Sequence, residues 1–183
     1  MYKQDIIKAK LKALFDVDQK RIYARKCLIK EISVFDKNEF LNKYHIQGED
    51  KSKIKLGLFY NDELVAVMTF GKSRLNKHYE WELIRYATKY KVIGGAGKLL
   101  KYFERNYKPN SIITYADRRF SQGNMYFKLG FNLDHISQPN YIWIKDDKIL
   151  TRYQTQKHML KNVIHKFDNK LTEAENMVNN RIL

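Results

Sequence analysis

Lys91-Val-Ile-Gly-Gly-Ala-Gly97 is the stretch on which the reading of this chain turns. An apolar, strand-like run of about Tyr79 to Thr88 leads into it, and an amphipathic segment from Gly97 to Asn106 leads out. A second strand, Ser111 to Ala116, comes next, and the series closes on Tyr126-Phe-Lys-Leu-Gly-Phe131. A glycine-rich turn between a strand and a helix leaves backbone N–H groups free at the helix N-terminus, where the dipole also favours an anion. The ligand it predicts carries phosphate.

Working outward, Gln4 to Phe15 places Ile6, Ile7, Leu11, Leu14 and Phe15 on one helical face, with Lys3, Lys8, Lys10 and Lys12 filling much of the other. A strand is expected over Arg21 to Ser33, and a helix capped by Asp36 running to about Tyr44. Lys53 to Tyr60 and Glu63 to Phe70 read as two strands of a hairpin turned by Asn61-Asp62. The polar segment Gly71 to His78 separates them from the Tyr79 strand. Lys108-Pro109-Asn110 breaks the helix after the glycine turn. Gly123 and Asn124 start a short helix that Gly130 stops. Phe131 to Ile136 and Asn140 to Lys145 read as two last strands about a turn at Pro139. From Thr151 to Leu183 the chain is polar and helical, with a sparse stripe at Met159, Val163, Ile164, Phe167, Leu171 and Met177. The order of elements is that of an α/β protein with a mixed sheet, of α+β type. Three parts are expected: a basic amphipathic helix over 1–20, the main domain over 21–150 and a helical extension over 151–183.

With 183 residues the chain is long enough for one ordinary core, and 44% hydrophobic and 14% aromatic residues favour a packed protein over disorder. The charge is unbalanced: 35 Lys plus Arg against 20 Asp plus Glu give +15. Such a surplus raises a long-range positive field that attracts nucleic acid, phosphorylated cofactors or acidic membranes. The single Cys27 excludes an internal disulfide framework and a cysteine metal pair, and its apolar neighbours predict a small core residue. His45, His78, His135, His158 and His165 show no ligand spacing, so no metal site is expected, and neither a Ser-His-Asp elbow nor a Walker loop is present. No stretch approaches the roughly 18 apolar residues of a membrane span. A cytoplasmic protein without a membrane partner is expected.

Lys91-x-x-Gly94-x-Ala96 resembles the Gln/Arg-x-x-Gly-x-Gly/Ala pyrophosphate loop of the GNAT superfamily, the Gcn5-related N-acyltransferases, with Lys in the first position. Tyr126-Phe-Lys-Leu-Gly-Phe131 is similar to the pattern that ends the family's later helix. The resemblance covers about Lys53 to Lys145 and implies a GNAT-like fold with added N- and C-terminal helices. It implies acetyl-CoA, or another acyl-CoA, as cofactor, held along Lys91, Val92, Ile93, Gly94, Gly95, Ala96, Gly97 and Lys98. It also implies Tyr126 as the proton donor to the departing thiolate, against the reading of Tyr126 as a core tyrosine beside Phe127 and Phe131.

Glu82-Leu-Ile-Arg85, Thr114-Tyr-Ala-Asp117 and Gly123-x-x-Tyr126 together resemble phage Mom-type DNA-modification proteins, which act on the exocyclic amine of adenine. Lys-Leu-Gly-Phe131 departs from that group and follows the ordinary GNAT ending. This second resemblance implies DNA as partner and a phage protein working in the host cytoplasm, and it adds His45 as a candidate base; a solvated loop histidine is the plainer reading. Asp117 reads either as a carboxylate for a substrate amine or a base edge, or as the cap of a turn, and Arg118, Arg119 and Ser121 beside it are read, with Arg85, as substrate-binding. Arg85, inside an apolar strand, needs Glu82, Glu80 or Asp117 as partner, or an anionic ligand. A protein or small-molecule N-acetyltransferase, and a noncatalytic nucleic-acid-binding module, are the competing functions. The apolar stripe after Met159 leaves a homodimer open.

Overall fold

Two left-handed residues, Asn61 (φ 49°) and Asp62 (φ 61°), close the central hairpin of the computed structural model. Asn and Asp tolerate this region because their short polar side chains bond locally, so the tight turn forms without glycine. The structure describes residues 4–15, 20–137 and 141–182. Expectations that fall on Lys3, the Leu14 side chain, the Pro139 turn with Asn140, and Leu183 lie outside the described residues.

In chain order the elements are α1 (Gln4–Leu14), β1 (Arg21–Tyr23), β2 (Leu28–Glu31), α2 (Val34–Tyr44), β3 (Ile54–Tyr60), β4 (Glu63–Lys72), β5 (Trp81–Thr88), β6 (Lys91–Ile93), α3 (Gly95–Tyr107), β7 (Ile112–Thr114) and α4 (Asn124–Lys128). They are followed by β8 (Trp143–Lys145), β9 (Lys148–Leu150), α5 (Arg152–Thr155) and α6 (Glu173–Asn179). This is an α+β protein. Its main sheet has the order β2-β3-β4-β5-β7, antiparallel except where β7 lies parallel to β5. β1 and β6 form a separate parallel pair.

The sheet is covered on both faces. Leu99, Leu100 and Phe103 of α3 sink into Leu56, Leu58, Met68, Phe70, Trp81 and Leu83, and the Phe103 ring stacks on Phe70 with centroids 3.7 Å apart. Phe40 and Leu41 of α2 close the other face on Ile32, Val67 and Ala87. Each such side chain contributes about 1.5–3 kcal/mol by leaving water.

Several boundaries differ from those expected. The strand over Arg21 to Ser33 is broken by a 3-10 turn at Ala24–Lys26, and its halves join different sheets. Cys27 beside that turn is buried as a core residue. Ser33, not Asp36, caps α2: the Asp36 amide donates to Ser33 Oγ at 3.0 Å. β4 runs on through Gly71 to Lys72, β5 starts at Trp81, and α3 starts at Gly95. Among the described side chains of the expected apolar face of α1, Ile6 is buried while Ile7, Leu11 and Phe15 are exposed. Phe131 to Ile136 forms no strand.

The chain divides into two compact units, Met1–Leu133 and Asp134–Leu183. Within the second, Leu160, Ile164, Met177 and Ile182 build a small core with Trp143, Leu150, Val163 and Phe167. The tail beyond Thr151 therefore packs on its own hairpin rather than forming one long stripe. Capping boxes at Thr151/Gln154 and Thr172/Glu175 start α5 and α6, and the fully buried Asn176 accepts from the Asp168 amide at 2.8 Å. Among the described residues no helix is long and apolar enough to cross a membrane.

Gly95 is packed where a side chain cannot go: a Cβ there would sit 2.8 Å from Tyr86 Oη and 2.8 Å from Val92 Cγ1. Replacing Gly95 with Ala should cost about 1–3 kcal/mol of stability, read as a lowered urea midpoint with unchanged slope. Gly130, whose Cβ would meet nothing within 4 Å, still has φ 89°, so strain alone limits Gly130→Ala. That comparison separates crowding from backbone strain.

Candidate active site

β5 and β7 run side by side only from Trp81 to Leu83, opposite Ile112 to Thr114. β7 then ends, whereas β5 continues to Thr88. The pairing with β4 also slips here, passing from Leu83–Phe70 to Arg85–Thr69 and leaving Ile84 without an opposite residue. A bulge of this kind bends a strand and re-aims its side chains. Thr114 Oγ1 closes the paired part by donating to the Leu83 carbonyl at 3.1 Å. Past that bond β5 runs on without β7.

The glycine turn sits on the chain leaving β5. Gly94 adopts φ 77°, and α3 begins at Gly95 with no side-chain cap. The Tyr86 hydroxyl is hydrogen-bonded to the Ala96 backbone, and burial pushes its phenol far above the ordinary value. An open groove of about 450 Å³ follows, lined by Ile29, Gly94, Gly97, Lys98, Lys101, Tyr102 and Arg105. The expected loop residues are used unevenly. Lys91, Val92 and Ile93 are paired as β6 with Arg21, Ile22 and Tyr23. Lys98 turns its ammonium onto the Ala24 (2.9 Å) and Cys27 (2.5 Å) carbonyls, stapling α3 to the 3-10 turn. Lys101 and Arg105 line the groove and were not singled out by the sequence reading. Their spacing from Lys98 along one helix face is the signal that carries them.

Tyr126 on α4 packs its ring edge-on to Phe131 at 5.9 Å, against the core under α3, and its phenol lies within electrostatic reach of Arg85. That electrostatic reach is the link between them: Tyr126 packs with the core under α3, while Arg85 lies opposite Thr69 in the strand register. Asp117 belongs to a different arrangement. Its carbonyl accepts from the Phe120 and Ser121 amides, and its carboxylate takes Arg119 Nε at 3.1 Å, Nη2 at 2.7 Å and the Arg119 amide at 3.1 Å. These bonds hold the Asp117 carboxyl below the usual range, which makes it a turn cap and a weak proton acceptor. Ser121 Oγ accepts from the Gly123 amide at 3.1 Å, setting the approach to α4, and Arg118 is exposed. Lys10 of α1 stands 4.7 Å from the Phe120 ring centroid; burial lowers its pKa and Asp117 offsets part of that. His45 caps α2 through its N–H to the Leu41 carbonyl, and its Nδ1 accepts from the Gln47 amide at 3.2 Å. These bonds tie the ring to the end of that helix.

Against β4 and β5 lies a charged network that the sequence reading did not see. Lys37 and Asp50, with side chains 2% and 1% exposed, pair at 3.2 Å, and Asp50 also accepts from Thr69 Oγ1 at 2.6 Å and the Ser52 amide at 3.0 Å. Burial drives the Asp50 carboxyl up, but the bonds from Thr69, Ser52 and Lys37 outweigh it and leave the carboxyl below its ordinary value. Glu82, 1% exposed, is likewise raised by burial and pulled below normal by Arg74, which donates from Nε (3.1 Å), Nη2 (2.5 Å) and its amide (3.2 Å). Among the described residues no group of three or more His, Cys, Asp or Glu side chains could hold a metal ion. No family model matches the chain, and neither does any curated protein.

Because Asp50 and Glu82 titrate lower in the folded protein than unfolded, each stabilises the fold above the unfolded carboxylate range, about pH 4. That contribution should drain away as pH falls through their folded values. Urea unfolding from pH 7 down to 2.5 reads the loss. Asp50→Asn, which strands the Lys37 ammonium, should cost about 3–5 kcal/mol at pH 7 and show a flatter acid limb than the wild type.

Proposed function

We propose that the chain is an acyl-CoA-dependent N-acyltransferase of GNAT-like fold whose acceptor is the exocyclic amine of a nucleic-acid base, adenine in DNA foremost. The observation that carries the reading is the end of the β5–β7 pairing after Leu83 and Thr114, on the strand that leads to a glycine turn whose N-cap, Gly94, brings no side chain, with Tyr126 packed on the core under α3. A cofactor whose pyrophosphate rests on the turn at Gly94, Gly95 and Gly97, the Ala96 amide being taken by the Tyr86 hydroxyl, could pass its thioester beyond the end of β7. The charge distribution supports a polyanionic acceptor: in residues 1–133, 27 Lys plus Arg face 14 Asp plus Glu, against 8 facing 6 in the rest.

The amine nitrogen attacks the thioester carbonyl carbon, the carbonyl re-forms as the C–S bond breaks, and the thiolate takes a proton from Tyr126. The proton lost by the nitrogen returns to the tyrosine through solvent. A base amine is neutral at pH 7 and needs no prior deprotonation, unlike a lysine near pKa 10.4. This fits an opening where Asp117 is tied to Arg119 and Glu82 to Arg74. An acceptor base in a duplex must be extruded, so single strands should be the better substrates.

The test incubates the full chain with acetyl-CoA and DNA, RNA or protein, followed by digestion and mass spectrometry. Acetylated deoxyadenosine is expected, with single-stranded DNA modified faster than duplex. Tyr126→Phe should lower kcat by about 10²-fold or more with the KM for acetyl-CoA unchanged. Acetyl-lysine as the sole product would replace the acceptor, and the absence of coenzyme A binding would remove the enzyme.

A further inference from the structure

Arg85 stands half-buried on β5, immediately after the bulge at Ile84. Every carboxylate that could neutralise it is already engaged. Glu82 holds Arg74. Glu80 accepts from Lys72 at 3.3 Å and from the Asn110 amide at 3.0 Å. Asp117 holds Arg119, and Asp50 holds Lys37, Thr69 and the Ser52 amide. Among the described residues Arg85 makes no ion pair and one hydrogen bond, from Nη1 to the Ile84 carbonyl at 2.9 Å, while Nε is buried without a partner. Five donors are thus served by a single acceptor. The neighbouring charges are Lys37, Arg74 and Arg85 against Asp50 and Glu82, so the cluster carries one uncompensated cation.

A guanidinium withdrawn from water without an anion is costly. Burial lowers the Arg85 pKa, and Asp50 only partly restores it. A hydrophobic residue at this strand position would serve the core better unless the charge has another use. The guanidinium fork matches the two oxygens of a phosphate, and it lies within electrostatic reach of Tyr126, the proposed proton donor.

We propose that Arg85 is the acceptor-side anion site of the cleft, receiving one phosphate group of the nucleic-acid strand next to the target base. This rests on the transferase reading for its identification of the acceptor, and it separates the cofactor's anions at the glycine turn from the acceptor's at β5.

The sign of a stability change tests it. In ligand-free protein Arg85→Met should melt no lower than the wild type, because the change removes an unpaired cation rather than a pair. Inorganic phosphate, compared with chloride at matched ionic strength, should raise the melting temperature of the wild type more than that of Arg85→Met, which keeps the glycine turn. For a short single-stranded oligonucleotide, the slope of log affinity against log salt should fall by about 0.7 in the variant, one phosphate contact. In the wild type, phosphate should move the Arg85 Nε–H resonance, a measurement that needs no variant to fold.

A Met variant that folds but melts lower, an equal phosphate response in both proteins, an Nε–H signal that phosphate leaves still, or an acetate response as large as that of phosphate would each overturn the assignment. Coenzyme A affinity of the wild type is measured in parallel. Its absence would sink the transferase reading while leaving a phosphate response at Arg85 intact.

Discussion

The end of the β5–β7 pairing after Leu83 and Thr114 is the constraint on which the proposed site of the first unit depends. While the strands are paired, every backbone group between them is committed to the ladder. Once they part, β5 keeps only β4 as a partner and its other edge is released, a condition a buried sheet tolerates only where another group takes over. The bulge at Ile84 falls at the same level and turns the strand as it loses its neighbour. On the proposed reading the glycine turn, Tyr126 and Arg85 serve one site. The cores on the two faces, α3 on one and α2 on the other, hold β4 and β5 in place.

Charge placement follows from the same geometry. Lys37–Asp50–Thr69 pins α2 and the loop after it to β4, and Arg74–Glu82 pins the end of β4 to β5. Buried pairs gain little net stability over apolar packing but cost several kcal/mol when one partner is removed. Their effect here is to fix position and to use up the acids. What is left over is positive: the half-buried Arg85 guanidinium on the sheet, and the Lys101 and Arg105 side chains that line the groove on α3. On the proposed reading these two places divide the work, one for the donor's phosphates and one for the acceptor's.

The hairpin at Asn61-Asp62 was legible in the sequence because the turn chemistry is local. The same chemistry at Asp146-Asp147, with φ 48° and 61°, closes β8 on β9, yet the proline at 139 drew the expected turn away from it. Burial of Cys27 and the helix after the glycines were also legible, since both rest on short-range pattern. The break at Ala24–Lys26 was not, because it depends on Lys98, distant in sequence, donating to the carbonyls of Ala24 and Cys27. For the same reason the sequence could offer Arg85 three acids but not show that each was taken. Ser33 took the cap from Asp36 because its hydroxyl reaches the third amide of the helix while Asp36 lies within the first turn.

The central claim is that a phosphorylated cofactor seats on the turn from Gly94 to Gly97 and reaches beyond the end of β7. Titrating acetyl-CoA into isotopically labelled full chain and following backbone amide shifts tests it most directly. The account predicts saturable shifts concentrated at Gly94 to Gly97 and at Arg85 to Ala87, with Lys101 and Arg105 following. Saturable binding that leaves those amides unmoved, or no binding at all, would contradict it.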